Sequence, residues 1–420
     1  MNLIKTSFYT SLSTAINFIS GFIVVKVVAV KIGPVGIAYV GQFQNTTAIL
    51  TMLATAAIAS GVVKYLAEFK SDPAKSQKII NTSFLIVFLS SLVISLFVIA
   101  ASSYLSEAAF KTKDFWIVYF LFGLFTMAIS FNTIFLAILN GLKEIKKFTI
   151  VNICTSLIGV GFTVLFAYIW GIEGVLIAST ATSIVIFSIH LYFFKKLGIK
   201  WKPNFKSWDK PVIKMLFRFS LMAIVSGFVG QGMQIMVRDR IIVQFSVADA
   251  GYWQAVTKIS DYYLAFITSV LTVYYLPRLS EIQDRKELRN EILKGYKTIL
   301  PIVGFIALLI WLLRDLVIHL LFTPDFLPMK PLFTFQLLGD FFKIGSWLLA
   351  FLMVAKAMTR IYIVTEIIFG ISYVLLSYFF MSRYGIIGAT YSFCINYAAY
   401  WIFMWVLMRR KLVKPVPAFK

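Results

Sequence analysis

The chain has few charged residues for its length, and few of these are acidic. Only 14% of its 420 residues are charged, whereas soluble domains carry about 25%. Asp and Glu number 18 against 40 Lys and Arg, a formal net charge of +22. Because 60% of the residues are hydrophobic, the chain cannot cover itself with polar surface, and the same composition excludes intrinsic disorder. The composition predicts a polytopic membrane protein with excess positive charge.

Sequence patterns of metal, redox and nucleotide chemistry are also missing. Cys154 and Cys394 lie in apolar runs and form no CxxC, zinc or disulfide pattern. His190 and His319 have no carboxylate at a useful spacing, and no GxxxxGK[ST] motif occurs. We therefore expect no metal, no other cofactor and no ATP hydrolysis. Membrane-length apolar runs also argue against the nucleic-acid partner that a basic soluble chain would suggest.

Apolar runs long enough to cross a membrane occur twelve times. A hydrocarbon core of about 30 Å needs about 20 residues of α-helix. The predicted spans are 8–30, 41–63, 79–104, 115–140, 148–169, 173–194, 221–243, 251–276, 298–321, 331–355, 361–382 and 386–408. The predicted fold class is an all-α membrane protein with twelve transmembrane helices.

The basic residues of the loops predict the orientation of these helices. On one side lie 29 Lys and Arg, and on the other lie 7, among which Arg238 and Arg240 are counted because they are near the outer end of the seventh span; the other four fall within the spans. Cytoplasmic loops carry the excess of Lys and Arg, so both termini are predicted to be cytoplasmic. The two longest loops, 195–214 and 277–297, are cytoplasmic in this topology, and the external loops are short.

The two halves of the sequence resemble each other at shifts of 211 to 214 residues. The matches include Tyr39 with Tyr252, Asp114-Phe115 with Asp325-Phe326, and 171–174 with 385–388. Each half contains six predicted helices, so both halves enter the membrane in the same sense. This predicts two six-helix lobes related by a pseudo-two-fold axis along the membrane normal, with substrate bound between them near mid-membrane.

The repeat and the loop composition predict four segments. They are an N-lobe at 1–194, a basic cytoplasmic linker at 195–214, a C-lobe at 215–408 and a basic cytoplasmic tail at 409–420.

Charged side chains within the predicted spans are the clearest functional candidates. Each costs about 2.5–3.5 kcal/mol at mid-bilayer by insertion scales, so it should face a cavity or a partner. The cationic candidates for a substrate-binding cavity are Lys26, Arg238, Arg240, Lys258 and Lys343. The acidic candidates for coupling or gating are Asp239, Asp261, Asp340 and Glu366. If the cations face a cavity, the ligand should be anionic, because a buried unpaired cation is costly and Arg binds phosphate well.

Each of these residues also has a structural interpretation. Arg238 and Arg240 could extend to the outer membrane surface. Lys258/Asp261 and Asp340/Lys343 have i,i+3 spacing, which suits a structural ion pair as well as a pair that opens on binding. Glu366 could pair with Arg360 or serve the first turn of its helix.

Uncharged polar residues cluster in the first two helices of each predicted lobe. The candidates for sugar contacts are Asn17, Gln42, Asn45, Gln234, Gln254 and, in the tenth helix, Trp347. Amide groups can bind sugar hydroxyls, but they also join neighbouring helices in membranes. Trp347 could stack on a sugar ring or pack between helices.

Seven segments, taken in order, carry a resemblance to a known family. They are Gly33-Pro34-Val35-Gly36, Gly61-Val62-Val63-Lys64-Tyr65, Ile259-Ser260-Asp261-Tyr262-Tyr263-Leu264, Tyr275-Leu276-Pro277-Arg278-Leu279-Ser280, Trp311-Leu312-Leu313-Arg314-Asp315, Gln336-Leu337-Leu338-Gly339-Asp340-Phe341-Phe342-Lys343 and Ala355-Lys356-Ala357. The chain resembles the Wzx-type flippases of lipid-linked oligosaccharides, which handle O-antigen and enterobacterial common antigen units. This group belongs to the superfamily that includes the MATE multidrug exporters.

The resemblance implies a function as well as a fold. It implies that an undecaprenyl-pyrophosphate-linked oligosaccharide moves from the inner to the outer leaflet of the bacterial inner membrane by alternating access. It also implies coupling to a proton or sodium gradient. The implied partners are the lipid-linked substrate, membrane lipids, a polysaccharide polymerase and a chain-length regulator, and the expected state is a monomer.

Two alternatives stay open at this stage. A MATE-like drug/cation antiporter should have an acidic cavity, whereas acids do not dominate the charges within these spans. A membrane-embedded polysaccharide polymerase or acyltransferase should have a large external loop or a His/Asp/Glu group near one face, and the sequence has neither.

Overall fold

The computed structural model of the protein describes residues 3–196, 209–356 and 358–413. In these ranges the chain is almost entirely helical, without strands, which confirms the predicted all-α fold. The helices are α1 Leu3–Lys31, α2 Pro34–Ala54, α3 Ala59–Glu68, α4 Pro73–Ala100, α5 Ser102–Phe110, α6 Trp116–Gly141, α7 Ile145–Lys196, α8 Lys210–Gln244, α9 Val247–Val270, α10 Leu276–Glu281, α11 Arg285–Leu312, α12 Arg314–Leu321, α13 Leu332–Ala355, α14 Thr359–Tyr384 and α15 Ile387–Val413. A π-helical turn at 271–275 joins α9 to α10, and a 3₁₀-helix occupies 324–329.

Among the described residues, nine helices are long and apolar enough to cross a membrane, or ten if the bent pair α2 and α3 is one span. Two features separate this number from the predicted twelve. Helix α7 has 52 residues and non-helical backbone at Gly171; at about 1.5 Å per residue it is longer than two membrane crossings. Helix α9 contains Asp249, Lys258 and Asp261, which lower its apolar character. The count of twelve spans stays a prediction.

The chain divides into two compact units, which we call unit 1 (residues 1–231) and unit 2 (residues 232–420). In unit 1, α4 packs against α6, and α1 packs against α7. In unit 2, α13 packs against α15, α11 and α9. The division falls within α8. Linker residues 197–208 and tail residues 414–420 lie outside the described residues, and the predicted lobe boundaries stay a prediction.

Local sequence explains where several helices begin. The carboxylates of Asp72 and Asp284 accept hydrogen bonds from backbone N–H groups three residues later, at 3.0 and 2.8 Å. Ser246 does the same at the start of α9, at 3.0 Å. Such N-caps satisfy donors that the helix itself leaves open.

The repeated segments adopt the same local structure in each unit. Tyr39 packs edge-to-face on Phe115, with ring centres 5.4 Å apart, and Tyr252 packs in the same way on Phe326, at 6.1 Å. These are the pairs that the sequence shifts align. The repeat is therefore visible in side-chain packing as well as in sequence.

The repeated glycines mark a second shared feature. Gly171 and Gly385 have positive φ angles of 57° and 66°, which a residue without Cβ adopts readily. Three residues later, a Cβ on Gly174 would lie 2.1 Å from the Phe166 carbonyl oxygen, and a Cβ on Gly388 would lie 2.3 Å from the Phe380 carbonyl carbon. Each glycine pair therefore allows the chain to turn tightly and pack against the helix end eight residues before.

Candidate functional site

Arg238 is a buried cation in unit 2. It lies in α8 with none of its surface exposed, and its guanidinium donates a hydrogen bond to the side-chain oxygen of Gln254 in α9. The guanidinium carbon also lies 5.6 Å from the ring centre of Trp253. Arg238 therefore does not extend to a membrane surface. Residues of α9 hold Arg238 in place. The side chain of Gln254, a candidate for sugar contact, binds the guanidinium of Arg238 in this structure.

Asp340 is a buried acid in the same unit. It lies in α13, fully buried, and accepts hydrogen bonds from the Tyr263 hydroxyl at 2.8 Å and from the Gln336 amide at 3.4 Å. Lys343, one turn later, instead lies 4.9 Å from the ring centre of Trp347. The i,i+3 ion pair that spacing allowed between Asp340 and Lys343 is therefore not formed. The two charges have different partners.

Lys343 lies among three aromatic rings. Besides Trp347 in its own helix, Phe393 and Tyr397 of α15 lie with their ring centres 5.7 Å from its ammonium nitrogen. The negative faces of aromatic rings attract a cation at such distances. Trp347 thus has a cation contact, which neither of its sequence interpretations included.

Other charges of unit 2 lie within electrostatic range of these residues. Asp261 in α9 interacts with both Lys258 and Arg238. Glu366 in α14 interacts with Lys343. Within the described ranges, Glu366 forms no ion pair with Arg360, so that alternative is not observed.

Six charged residues of unit 2 therefore form one group, which we call the charge cluster. Its members are Arg238, Lys258, Asp261, Asp340, Lys343 and Glu366. Three are acids and three are bases, so formal charges balance. The sequence suggested a net positive site, but in this part of the structure acids match the cations in number.

The remaining predicted residues of unit 2 lie at the end of α8. Arg240 lies with its guanidinium 5.1 Å from the ring centre of Tyr378. Asp239 and Gln234 are half-buried in the same helix. They lie on neighbouring turns of one helix.

The predicted residues of unit 1 lie in α1 and α2. Lys26 and Asn45 are half-buried, and Gln42 is fully buried. Asn17 accepts a hydrogen bond from the Ser156 hydroxyl and so joins α1 to α7. This contact is the interhelical role that the sequence analysis left open beside sugar binding.

Unit 1 also contains a cavity of about 530 Å³. Its lining residues are Phe43, Gln44, Thr47, Ala48, Thr51, Met52, Thr55, Ala57, Ala59, Ser60, Phe122, Ile129, Thr133, Ser179, Thr180, Ser183 and Ala223. Eight of these carry hydroxyl groups and none is charged. The volume lies in the range of ligand pockets in proteins.

Several residues of both regions were not among the candidates that the sequence indicates. The polar residues of α2 indicated the part of the cavity wall that α2 forms. The wall also includes Ser179, Thr180 and Ser183 of α7, which lie more than 100 residues later in the sequence. In unit 2, Trp253 and Tyr397 were missed as partners of buried cations. The i,i+4 spacing of Phe393 and Tyr397 was a usable signal, because it places both rings on one helix face.

Two ionisable groups outside the helices that are long and apolar enough to cross a membrane have shifted pKa values. The hydrogen bond from Lys330 lowers the pKa of the exposed Asp315 carboxyl. Burial lowers the pKa of Lys356, whose ammonium group donates to the Ile282 carbonyl oxygen at 2.6 Å. Lys356 therefore fastens the end of α13 to the residue that follows α10.

Comparisons with known proteins agree with this architecture. Solved MATE family multidrug transporters of the MOP superfamily share the fold. An inward-facing structure aligns with a TM-score of 0.79 at 14% identity and covers 95% of this chain and 94% of the transporter. An outward-facing structure gives 0.74 at 16% identity and covers 97% and 95%. At these identities the match concerns the fold alone.

Sequence relatives are more specific. Proteins named Lipid III flippase from Escherichia coli (strain K12) and Shigella flexneri are each 31% identical over 401 residues, which is 95% of this chain and 96% of each relative. The family described as polysaccharide biosynthesis protein matches residues 41–331. Because these matches cover most of its length, the chain belongs to this polysaccharide biosynthesis family.

Proposed function

We propose that the protein is a flippase that moves a lipid-linked oligosaccharide across the membrane for surface polysaccharide assembly. The observation that carries this proposal is the 31% identity, over 95% of the chain, to proteins named Lipid III flippase. The many apolar helices of a transporter fold supply the membrane setting. These transporter relatives argue against a membrane-embedded polymerase or acyltransferase.

The substrate is an undecaprenyl-pyrophosphate-linked sugar unit, as the family resemblance implies. Its pyrophosphate is the anion that Lys26, Arg238, Arg240, Lys258 and Lys343 would attract. In the charge cluster an incoming phosphate competes with Asp261, Asp340 and Glu366 for the same cations. Substrate binding therefore disturbs a balanced set of buried charges, and such a disturbance is a physical basis for gating.

The direction of movement follows from the predicted topology. The protein would lie in the bacterial inner membrane with both termini cytoplasmic, and the lipid head group would cross from the inner to the outer leaflet by alternating access. Its tail remains in the bilayer while the head group moves. Coupling to a proton or sodium gradient, a monomeric state, and association with a polymerase and a chain-length regulator belong to the same proposal.

The MATE-like antiporter is the competing transporter function. Its fold matches, but at 14–16% identity, and a site for organic cations should contain an excess of acids. The charge cluster has as many cations as acids. The flippase is therefore the better supported function.

Deleting the gene tests this function directly. We expect the lipid-linked unit to accumulate on the inner leaflet, and the intact protein to restore its exposure on the outer leaflet. If the deletion instead only increases sensitivity to organic cations, the antiporter is the correct function.

Substitutions test the cationic residues. We expect Lys26→Ala and Arg240→Ala to reduce export at least several-fold while the protein still inserts, whereas Arg383→Ala, at an exposed arginine, leaves export unchanged. Full activity in both variants would reject their role in binding.

Transport into membrane vesicles tests the coupling to an ion gradient. The initial rate of transport is measured with and without a pH gradient across the vesicle membrane. An unchanged rate after the gradient is collapsed would reject proton coupling.

A further inference from the structure

The break between α2 and α3 lies at the wall of the unit 1 cavity. The two helices meet at an angle of 51°, and the residues between them include Ala56 and Ala57, with φ angles of 49° and 50°. Non-glycine residues rarely adopt positive φ, and such backbone persists mainly where the surrounding structure requires it. Thr55 and Ala57 from the break line the cavity.

The break turns the start of α3 toward this cavity. Ala59 and Ser60, its first two residues, line the wall. The N–H groups of Ala59, Ser60 and Gly61 have no hydrogen-bond acceptor within the part of the chain that the structure describes, and no side chain caps the helix. Such a helix end carries a partial positive charge and open donors, which together bind anions.

A second, independent feature points to a ligand at the same place. Thr180 of α7 is 2% exposed and lines the cavity, yet its hydroxyl has no hydrogen-bond partner among the described residues. Buried polar groups without partners are rare in native proteins and call for an explanation. A ligand oxygen in the cavity would supply the missing partner.

The rest of the wall is uncharged and combines hydroxyl groups with apolar side chains. The hydroxyls of Thr47, Thr133 and Ser183 donate to carbonyl oxygens of their own helices, at 2.7, 3.2 and 2.9 Å. Their oxygen lone pairs remain available as acceptors for sugar hydroxyls. Open donors are therefore concentrated at the start of α3 and at Thr180, and acceptors lie elsewhere on the wall.

We propose that this cavity binds the head group of the substrate, with an oxyanion at the N-terminus of α3 and sugar hydroxyls against the surrounding Thr and Ser side chains. The inference rests on the proposed function, because it takes the substrate to be a lipid-linked oligosaccharide. The oxyanion is either the carboxylate of an acidic sugar or a phosphate of the lipid carrier. Both have the same chemistry at a helix N-terminus, and the experiment separates them.

A thiol in the cavity reports its occupancy. The full chain in nanodiscs, with Cys154→Ala and Cys394→Ala, receives Ser179→Cys, at an exposed wall residue. The rate of maleimide alkylation is measured against rising concentrations of methyl glucuronide, inorganic pyrophosphate and the uncharged methyl glucoside. We expect one of the two anions to slow alkylation at concentrations where the glucoside has no effect.

Four variants locate the anion. Ser60→Asp places a carboxylate in the first turn of α3, where it stabilises the helix but repels an anion, so protection should be lost, whereas the uncharged Ser60→Asn should retain it. Thr180→Val should raise the half-protecting concentration about tenfold, as expected for one hydrogen bond to a charged group. Thr82→Val is the matched control, because Thr82 is 1% exposed, lacks a partner and lies outside the lining of this cavity.

The outcomes decide both the site and its ligand. Protection by the glucuronide assigns the oxyanion to an acidic sugar, and protection by pyrophosphate assigns it to the lipid carrier. Equal protection by the glucoside, no protection by any probe, or equal effects of Thr180→Val and Thr82→Val would overturn the proposal. The assay involves no transport, so its failure is distinct from failure of the flippase function.

Discussion

Single buried charges are the most informative residues of this protein. Arg238 and Asp340 are both fully buried, and each is held by uncharged hydrogen-bonding partners, Gln254 for the arginine and Tyr263 with Gln336 for the acid. Burying a charge is costly unless such partners compensate for the lost water. A structural core could use apolar residues at these positions at lower cost, so their presence favours a role in transport.

Substitution of Asp340 separates its charge from its hydrogen bonds. Asp340→Asn keeps an oxygen that can accept from the Tyr263 hydroxyl, so we expect normal insertion but at least a tenfold loss of export. Tyr263→Phe keeps the charge and removes one hydrogen bond, and should lower the free energy of unfolding by about 1–3 kcal/mol. Export assays and thermal unfolding in detergent measure the two effects. Asp325→Asn, at an exposed acid, is the control, and wild-type export by Asp340→Asn would contradict the role of the charge.

At the scale of the helices, the two glycine turns are the clearest elements shared by both units. Gly171 and Gly385 supply positive φ, while Gly174 and Gly388 leave room for a carbonyl group eight residues earlier. Because the constraint is local backbone geometry, it persists in both halves even where the surrounding side chains differ. This is why the glycines were among the clearest matches of the sequence repeat.

Alanine at the packed glycines should therefore destabilise the protein. Gly174→Ala and Gly388→Ala each place a Cβ within 2.3 Å of backbone, and such overpacking typically costs about 1–3 kcal/mol. Gly161→Ala in α7 is the control, because its Cβ would have no neighbour within 4 Å, and alanine favours the helix by about 1 kcal/mol. Thermal unfolding of the three purified variants compares them. Equal stability of Gly161→Ala and Gly174→Ala would refute the packing argument.

At the scale of the whole molecule, charge and hydropathy describe different properties. The 29 basic residues on the predicted cytoplasmic side concern orientation, whereas the few cations within helices are the candidates for contact with the proposed substrate. The number of spans depends on how the longest and the most polar helices are counted. Helix α7 exceeds two crossings in length, and α9 carries members of the charge cluster.

Labelling from outside the cell tests the predicted orientation. Single cysteines replace Asp325 and Arg285 in a chain that lacks Cys154 and Cys394. We expect an impermeant thiol reagent to label the Asp325→Cys protein in intact spheroplasts, and the Arg285→Cys protein only after permeabilisation. The opposite pattern would place the termini outside, and equal labelling of both proteins would reject the predicted span count between them.

The sequence by itself determined the class of molecule and the repeat, and it located the apolar runs that form the long helices, although not the break between α2 and α3. These features depend on the length of apolar runs and on glycines with local backbone roles, which are properties of neighbouring residues. It also identified Arg238, Asp340 and Lys343 as candidates, because a charge within an apolar run is visible without a structure.

Only the tertiary structure decided which of these residues meet. Spacing along α13 allowed Asp340 to pair with Lys343, yet packing against α9 and α15 gives Asp340 a tyrosine and Lys343 aromatic rings. The unit 1 cavity likewise joins the break after α2 to hydroxyls of α7. Hydropathy records whether a helix is apolar but not how it is rotated against its neighbours, and that rotation selects the partners of each polar side chain.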